Sequence, residues 1–148
     1  MSSEHFDILL CDDDSDDCYF FSEALEKIFL STKLTAVHDG EQLMQLLTNE
    51  TNDLPHVLFL DLNMPRKNGF ECLIEIKHNK KLKQLPVIIF STSFDEEVAN
   101  LLYKNGAQYF IRKPSEIPQL QKVILQALTL LSKKNNSQPD RDDFVLTA

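Results

Sequence analysis

The chain is short of cysteine, short of basic residues, and without any long apolar run. Its three cysteines, Cys11, Cys18 and Cys72, are an odd set with no CxxC pair. That argues against a disulfide framework and against a structural zinc site, and reduced, mostly buried thiols are expected instead. Fifteen basic residues stand against 23 acidic ones, a net charge of −8. With no basic excess to release counterions from a phosphate backbone, nucleic acid is not an expected partner. No segment approaches the ~20 apolar residues needed to cross a bilayer, so no membrane partner is expected either. The opening MSSEHFD is polar and acidic, unlike a signal peptide. A cytoplasmic protein of one domain is the resulting expectation, since 148 residues suffice for one real core.

What is present is an alternation. Short aliphatic runs, Phe6 to Cys11, Lys33 to Val37, Val57 to Leu60, Val87 to Phe90 and Gln108 to Arg112, read as five strands. Between them lie patterns of helical period. The first carries Phe21, Ala24, Leu25 and Ile28, with Ser15 as its expected cap. The second carries Leu43, Leu46 and Leu47 after Asp39 and Gly40. The third carries Phe70, Leu73 and Ile74. Asp95 is placed to cap the fourth, marked by Val98, Leu101 and Leu102, and Gly106 to stop it. The last helix runs from about Ile117 to Ser132 and buries Leu120, Val123, Ile124, Ala127 and Leu131. Pro118 is tolerated in its first turn.

Five strand–helix units, the third and fourth strands apolar throughout, predict an α/β fold, a parallel sheet covered by helices on both faces. The domain is expected to span residues 4–132. Residues 133–148 are polar and charged, and a flexible extension is expected there, with Phe144, Val145 and Leu146 able to dock.

In such a fold, ligands bind beyond the carboxyl ends of the strands. Those ends carry Asp12 and Asp13, Asp61, Ser91, and Lys113. Taken singly, each has a plain explanation, since aspartates cap helices and lysines coat surfaces. Taken jointly, they bring three carboxylates, a hydroxyl and an ammonium to one sheet edge. Crowded carboxylates call for a cation, and hard oxygen ligands suit Mg²⁺. With a cation bound, one carboxylate can act as nucleophile toward a phosphoryl group, while the lysine and hydroxyl hold its equatorial oxygens. The histidines His5, His38, His56 and His78 share no spacing that suggests a metal or relay role.

The segments LLCDDD (Leu9 to Asp14), FLDLNMPRKNG (Phe59 to Gly69), PVIIFSTS (Pro86 to Ser93) and FIRKP (Phe110 to Pro114) resemble the response-regulator receiver family of two-component signalling. The resemblance runs from about Ile8 to Leu131. It implies a flavodoxin-like, doubly wound five-stranded sheet of order 2-1-3-4-5. It implies Asp61 as phosphoacceptor, and Asp12, Asp13, Asp61 and the Asn63 backbone carbonyl as Mg²⁺ ligands. Ser91 becomes the switch hydroxyl, Lys113 the phosphate-pairing lysine, and Phe110 the switch ring. It also implies a cis Lys113–Pro114 bond. Thr92, bulkier than the residue many members carry, is expected to narrow the path of the hydrolytic water.

The stretch KHNKKLKQLP (Lys77 to Pro86) and the triplet from Ser91 to Ser93 are similar to stand-alone regulators serving phytochrome-type and hybrid histidine kinases. The implied function is that of a transient phosphoacceptor with slow self-dephosphorylation, not a turnover enzyme. The implied partners are a sensor histidine kinase and a downstream or relay protein, with a homodimer through the fourth helix, fifth strand and fifth helix. Two alternatives stand beside it. An Asp-nucleophile phosphatase would carry a second acid where Asn63 stands. A degenerate receiver would bind partners without phosphorylation.

Overall fold

β-branched and aliphatic residues fill the third and fourth strands because both faces of these central strands are covered, whereas the second, an outer strand, is mostly exposed. The structure, a computed structural model, describes residues 5–28, 30–51, 53–133 and 137–147. The elements are β1 (His5–Cys11), α1 (Ser15–Glu26), β2 (Ser31–Val37), α2 (Gly40–Thr48), β3 (Val57–Leu60), α3 (Gly69–His78), β4 (Val87–Ser91), α4 (Glu96–Lys104), β5 (Tyr109–Arg112) and α5 (Ile117–Lys133). A 3₁₀ turn (Arg141–Asp143) and β6 (Val145–Leu146) follow. All strand pairs are parallel, in the order β2-β1-β3-β4-β5-β6. This is the expected flavodoxin-like sheet with one strand added at the β5 edge.

Alternate residues of each strand feed two cores. Leu9, Leu58, Leu60, Val87 and Ile89 face α2, α3 and α4. Ile8, Leu10, Phe59, Ile88 and Tyr109 face α1 and α5, where Phe21, Phe59 and Phe90 form an edge-to-face triplet. The period-2 alternation therefore sorts side chains between two buried layers rather than between core and water.

Two expectations change at the helices. Asp14, not Ser15, caps α1: its carboxylate accepts from the Asp16 and Asp17 amides. The reason is position, because Ser15 already lies in the first turn. On α4, Leu102 and Ala99 are buried, but Val98 and Leu101 face outward. Asp95 does cap α4, and Gly106 takes φ 98° just beyond it, where a side chain would be strained.

The larger correction concerns the segment after α5. Residues 134–136 and 148, like Glu4, lie outside the described residues. Residues 137–147 are not a free extension. Phe144 is fully buried against the Tyr103 ring, and its carbonyl accepts from the Phe110 amide. Tyr103 Oη donates to the Pro139 carbonyl, Gln108 to that of Ser137, and Arg141 to Asn100 and Glu96 of α4. The three apolar residues of an otherwise polar segment supply the attachment. Phe144→Ala is expected to lower stability by about 3–5 kcal/mol, the usual loss for an emptied aromatic site. Chemical denaturation checks this, and an unmoved midpoint would mean the segment does not pack as described.

Candidate phosphoacceptor site

The ladder runs one residue past each strand and thereby sets the site. The Asp12 amide donates to the Val37 carbonyl, the Asp61 amide to Cys11, and the Lys113 amide to Ser91. Asp12, Asp61, Ser91 and Lys113 are thus fixed by backbone pairing before their side chains make any contact. Gly69 is required at the far end of the loop after β3. A Cβ there would sit 2.2 Å from the Asp61 carbonyl oxygen, so only glycine lets α3 start so close to the strand end.

Carboxylate oxygens of Asp12, Asp13 and Asp61 lie within 4.8 Å of one another. Asp12 is fully buried and Asp61 nearly so, whereas Asp13 is exposed. The Lys113 ammonium is 2.7 Å from Asp12, 2.9 Å from Asp17 and 3.8 Å from Asp61. It also lies 5.4 Å from the centre of the Phe90 ring, within cation–π range. The other Asp12 oxygen accepts from the Asp14 amide. Ser91 is buried, and its hydroxyl has no hydrogen-bond partner among the described residues. Phe110 is buried on the neighbouring strand β5, paired with Ile89, and meets Phe94 edge to face at 5.4 Å. Thr92 and Asn63 are exposed at the rim.

Asp12, Asp13, Asp61 and Lys113 therefore come together, with one departure from expectation and one addition. No peptide bond among the described residues is cis, so Lys113–Pro114 is trans, contrary to expectation. The trans form is the lower in energy by about 0.5–1 kcal/mol for an X–Pro bond, and with it the Lys113 ammonium already reaches Asp12 and Asp17. Asp17, in the first turn of α1 where a carboxylate suits the helix dipole, also shares the lysine. Its place in the first turn after the Asp14 cap was the available signal.

Burial pushes the Asp61 carboxyl up to about 6; the nearby Lys113 opposes this, Asp12 adds to it, and the Asn63 amide's hydrogen bond opposes it. Burial likewise raises Asp12 against the pull of Lys113. Lys113 is held above its usual value. Burial works against its charge, but the hydrogen bonds to Asp12 and Asp17 and the charge of Asp61 outweigh it. Charge density is thus high and only partly neutralised. Three converging oxygens, one of them solvent-facing, fit a hard divalent cation that keeps some of its waters.

The family model for the response regulator receiver domain matches residues 8–125. The chain belongs to the response-regulator receiver family. The receiver is 31% identical to response regulator Rcp1 of Synechocystis sp. over 121 residues, which is 79% of this chain and 82% of Rcp1. It is 32% identical over 107 residues to the two-component response regulator ORR5 of Oryza sativa, 72% of this chain and 77% of ORR5. Among solved structures, the receiver resembles the phosphorylated cyanobacterial phytochrome response regulator RcpA. The TM-score is 0.78 at 30% identity, covering 88% of this chain and 96% of that one. The Mn²⁺-bound form of Rcp1 gives a TM-score of 0.75 at 29% identity, covering 90% and 99%. No described helix of the receiver is long and apolar enough to cross a membrane.

The raised Asp61 carboxyl fixes the sign of a pH effect. The folded form binds this proton more tightly than the unfolded chain. Its contribution to stability is therefore complete below the usual carboxylate value of 3.8 and is lost as pH climbs through about 6. In metal-free protein at pH 7.5, Asp61→Asn is expected to be more stable than wild type, by on the order of 2 kcal/mol. The gap should close toward pH 4. Thermal melts across that range are the check, and a gap that widens on acidification would contradict the assignment.

Proposed function

We propose that this receiver takes a phosphoryl group from the phosphohistidine of a sensor histidine kinase onto Asp61, and that the mark changes the surface it offers to a downstream or relay partner. The supporting observation is the convergence of the Asp12, Asp13 and Asp61 oxygens beside a buried lysine and a partnerless buried hydroxyl.

Asp61 is the nucleophile because it is central: it is within 3.8 Å of Lys113 and clustered with both other aspartates. One of its oxygens attacks phosphorus as the P–N bond to the kinase imidazole breaks, so one P–O bond replaces one P–N bond. Asp12, Asp13, Asp61 and the Asn63 carbonyl hold Mg²⁺ in this reading. When bound, Mg²⁺ neutralises the carboxylates and the incoming phosphoryl oxygens. Lys113 is placed to shift its hydrogen bonds from Asp12 and Asp17 toward one phosphoryl oxygen. Ser91 offers its free hydroxyl to another. Thr92, next in sequence and exposed, stands where hydrolytic water must pass. The receiver acts as a transient phosphoacceptor rather than a turnover enzyme, and as a cytoplasmic one.

Movement of Ser91 is transmitted to Phe110 and so to Phe94 at the start of α4. The output face is accordingly α4, β5 and α5, including the outward Val98 and Leu101. Residues 137–147 now form part of that face, and a homodimer there would engage them.

Treating the protein with acetyl phosphate and Mg²⁺ is expected to add one phosphoryl mass in intact mass spectrometry, absent in Asp61→Asn. No adduct in wild type, under conditions that label another receiver, would favour a phosphorylation-independent binding module. Thr92→Ala should lose its label several-fold faster than wild type, and Ser91→Ala should label more slowly. An unchanged decay rate in Thr92→Ala removes Thr92 from the timing of the signal.

A further inference from the structure

The loop after β3 contains an unusual backbone conformation. Arg66 has φ 68°, the one positive φ at a non-glycine position among the described residues. The Lys67 amide donates back to the Pro65 carbonyl at 2.8 Å. Together these describe a three-residue turn of the positive-φ kind centred on Arg66, which is rare and strained. Glycine or asparagine would adopt it with less crowding. An arginine there needs a compensating hold.

That hold is Asp39. Arg66 Nη1 lies 3.3 Å from Asp39 Oδ2. The Asp39 carboxylate is buried, whereas the arginine is mostly exposed. Its other oxygen, Oδ1, accepts from the Gln42 amide and caps α2. An exposed ion pair on two mobile side chains would matter little. This pair differs because one partner is buried and fixed at a helix start, so removing the arginine strips a desolvated oxygen of its cation.

The same two loops also interlock below the pair. A Cβ on Gly40 would meet the Lys67 carbonyl oxygen at 2.3 Å. The Cys11 thiol lies 3.5 Å from the Asp39 carbonyl and 3.3 Å from the Met64 sulfur. Arg66 is therefore the solvent-side clasp of a contact whose buried side reaches β1.

We infer that Arg66 is a positioning residue: clasped to Asp39, it holds the loop carrying Asn63 and Met64 against the start of α2, in the form that completes the carboxylate site. The inference rests on the reading that Asn63 joins Asp12, Asp13 and Asp61 around Mg²⁺. Breaking the clasp leaves all three aspartates in place and loosens only the fourth ligand. It predicts weaker metal binding without loss of fold.

Two measurements test it. In metal-free protein, hydrogen exchange at the Gly69 amide, which donates to the Leu62 carbonyl, reports closure of the loop. Isothermal calorimetry with Mg²⁺ reports the site. Arg66→Ala should speed Gly69 exchange at least about threefold and weaken Mg²⁺ binding about three- to tenfold, less than the roughly 10–100-fold typical of partners that touch a metal ligand directly, while the protein still melts cooperatively at a modestly lower temperature. Arg66→Lys should recover most of both. Asp39→Asn keeps an oxygen to cap α2 and should match Arg66→Ala, with the double variant no worse than either single one. Exchange and affinity at wild-type levels in Arg66→Ala, or additive losses in the double variant, would overturn the clasp. Absence of Mg²⁺ binding in the wild type would instead sink the metal reading, and the exchange comparison would still decide the clasp.

Discussion

One ammonium holds the centre of this molecule. Lys113 touches Asp12 and Asp17 at hydrogen-bond distance and stands 3.8 Å from Asp61. Without it, carboxylates could not be crowded at a buried sheet edge, because desolvation alone drives such groups to hold their protons. With it, they are only partly balanced. The imbalance is functional, since a site that were neutral in itself would have no use for a cation or a phosphoryl group. The lysine reaches this place because its own backbone is locked to Ser91 of β4, so the most chemically demanding side chain sits on the most regular part of the fold.

Around that centre the structure separates rigid from adjustable parts. The site-facing ends of β1 and β3 are buried and paired to their last residue, which leaves Asp12 and Asp61 little freedom. The adjustable groups lie in the loops: exposed Asn63 and Thr92, the strained turn at Arg66, and the Phe94 ring against Phe110. A covalent mark on a fixed carboxylate can then be read as a shift of neighbouring loops while the sheet stays unchanged.

Much of this was legible in the sequence. Apolar runs ending in Asp61 and Ser91 located the central strands because doubly buried strands admit few other residue types. Asp95 and Gly106 marked α4 because caps depend on local chemistry. What escaped notice depended on distant partners. Val98 and Leu101 follow helical spacing, but both stay exposed on the outer side of α4. Asp17 reads as a dipole residue until Lys113, 96 positions away, is placed beside it. Phe144 could be picked out as able to dock, but its place beside the Tyr103 ring of α4 and the Phe110 amide of β5 depends on the assembled fold. Arg66 carries no local sign of its φ, because side-chain identity there argues against that conformation.

The two rims of the sheet differ in what they present to other molecules. β2 is an outer strand of seven residues, polar at Ser31, Thr32 and Thr35 and charged at Lys33. At the opposite rim, β6 is two residues long and lies over Phe110 and Ile111. A lysine on one border and a stub on the other discourage unwanted stacking of sheets between molecules. On the β5 side the consequence is also one of grammar. A protein approaching there meets side chains rather than a row of open amides and carbonyls, and must recognise the receiver by shape and charge instead of by extending its sheet.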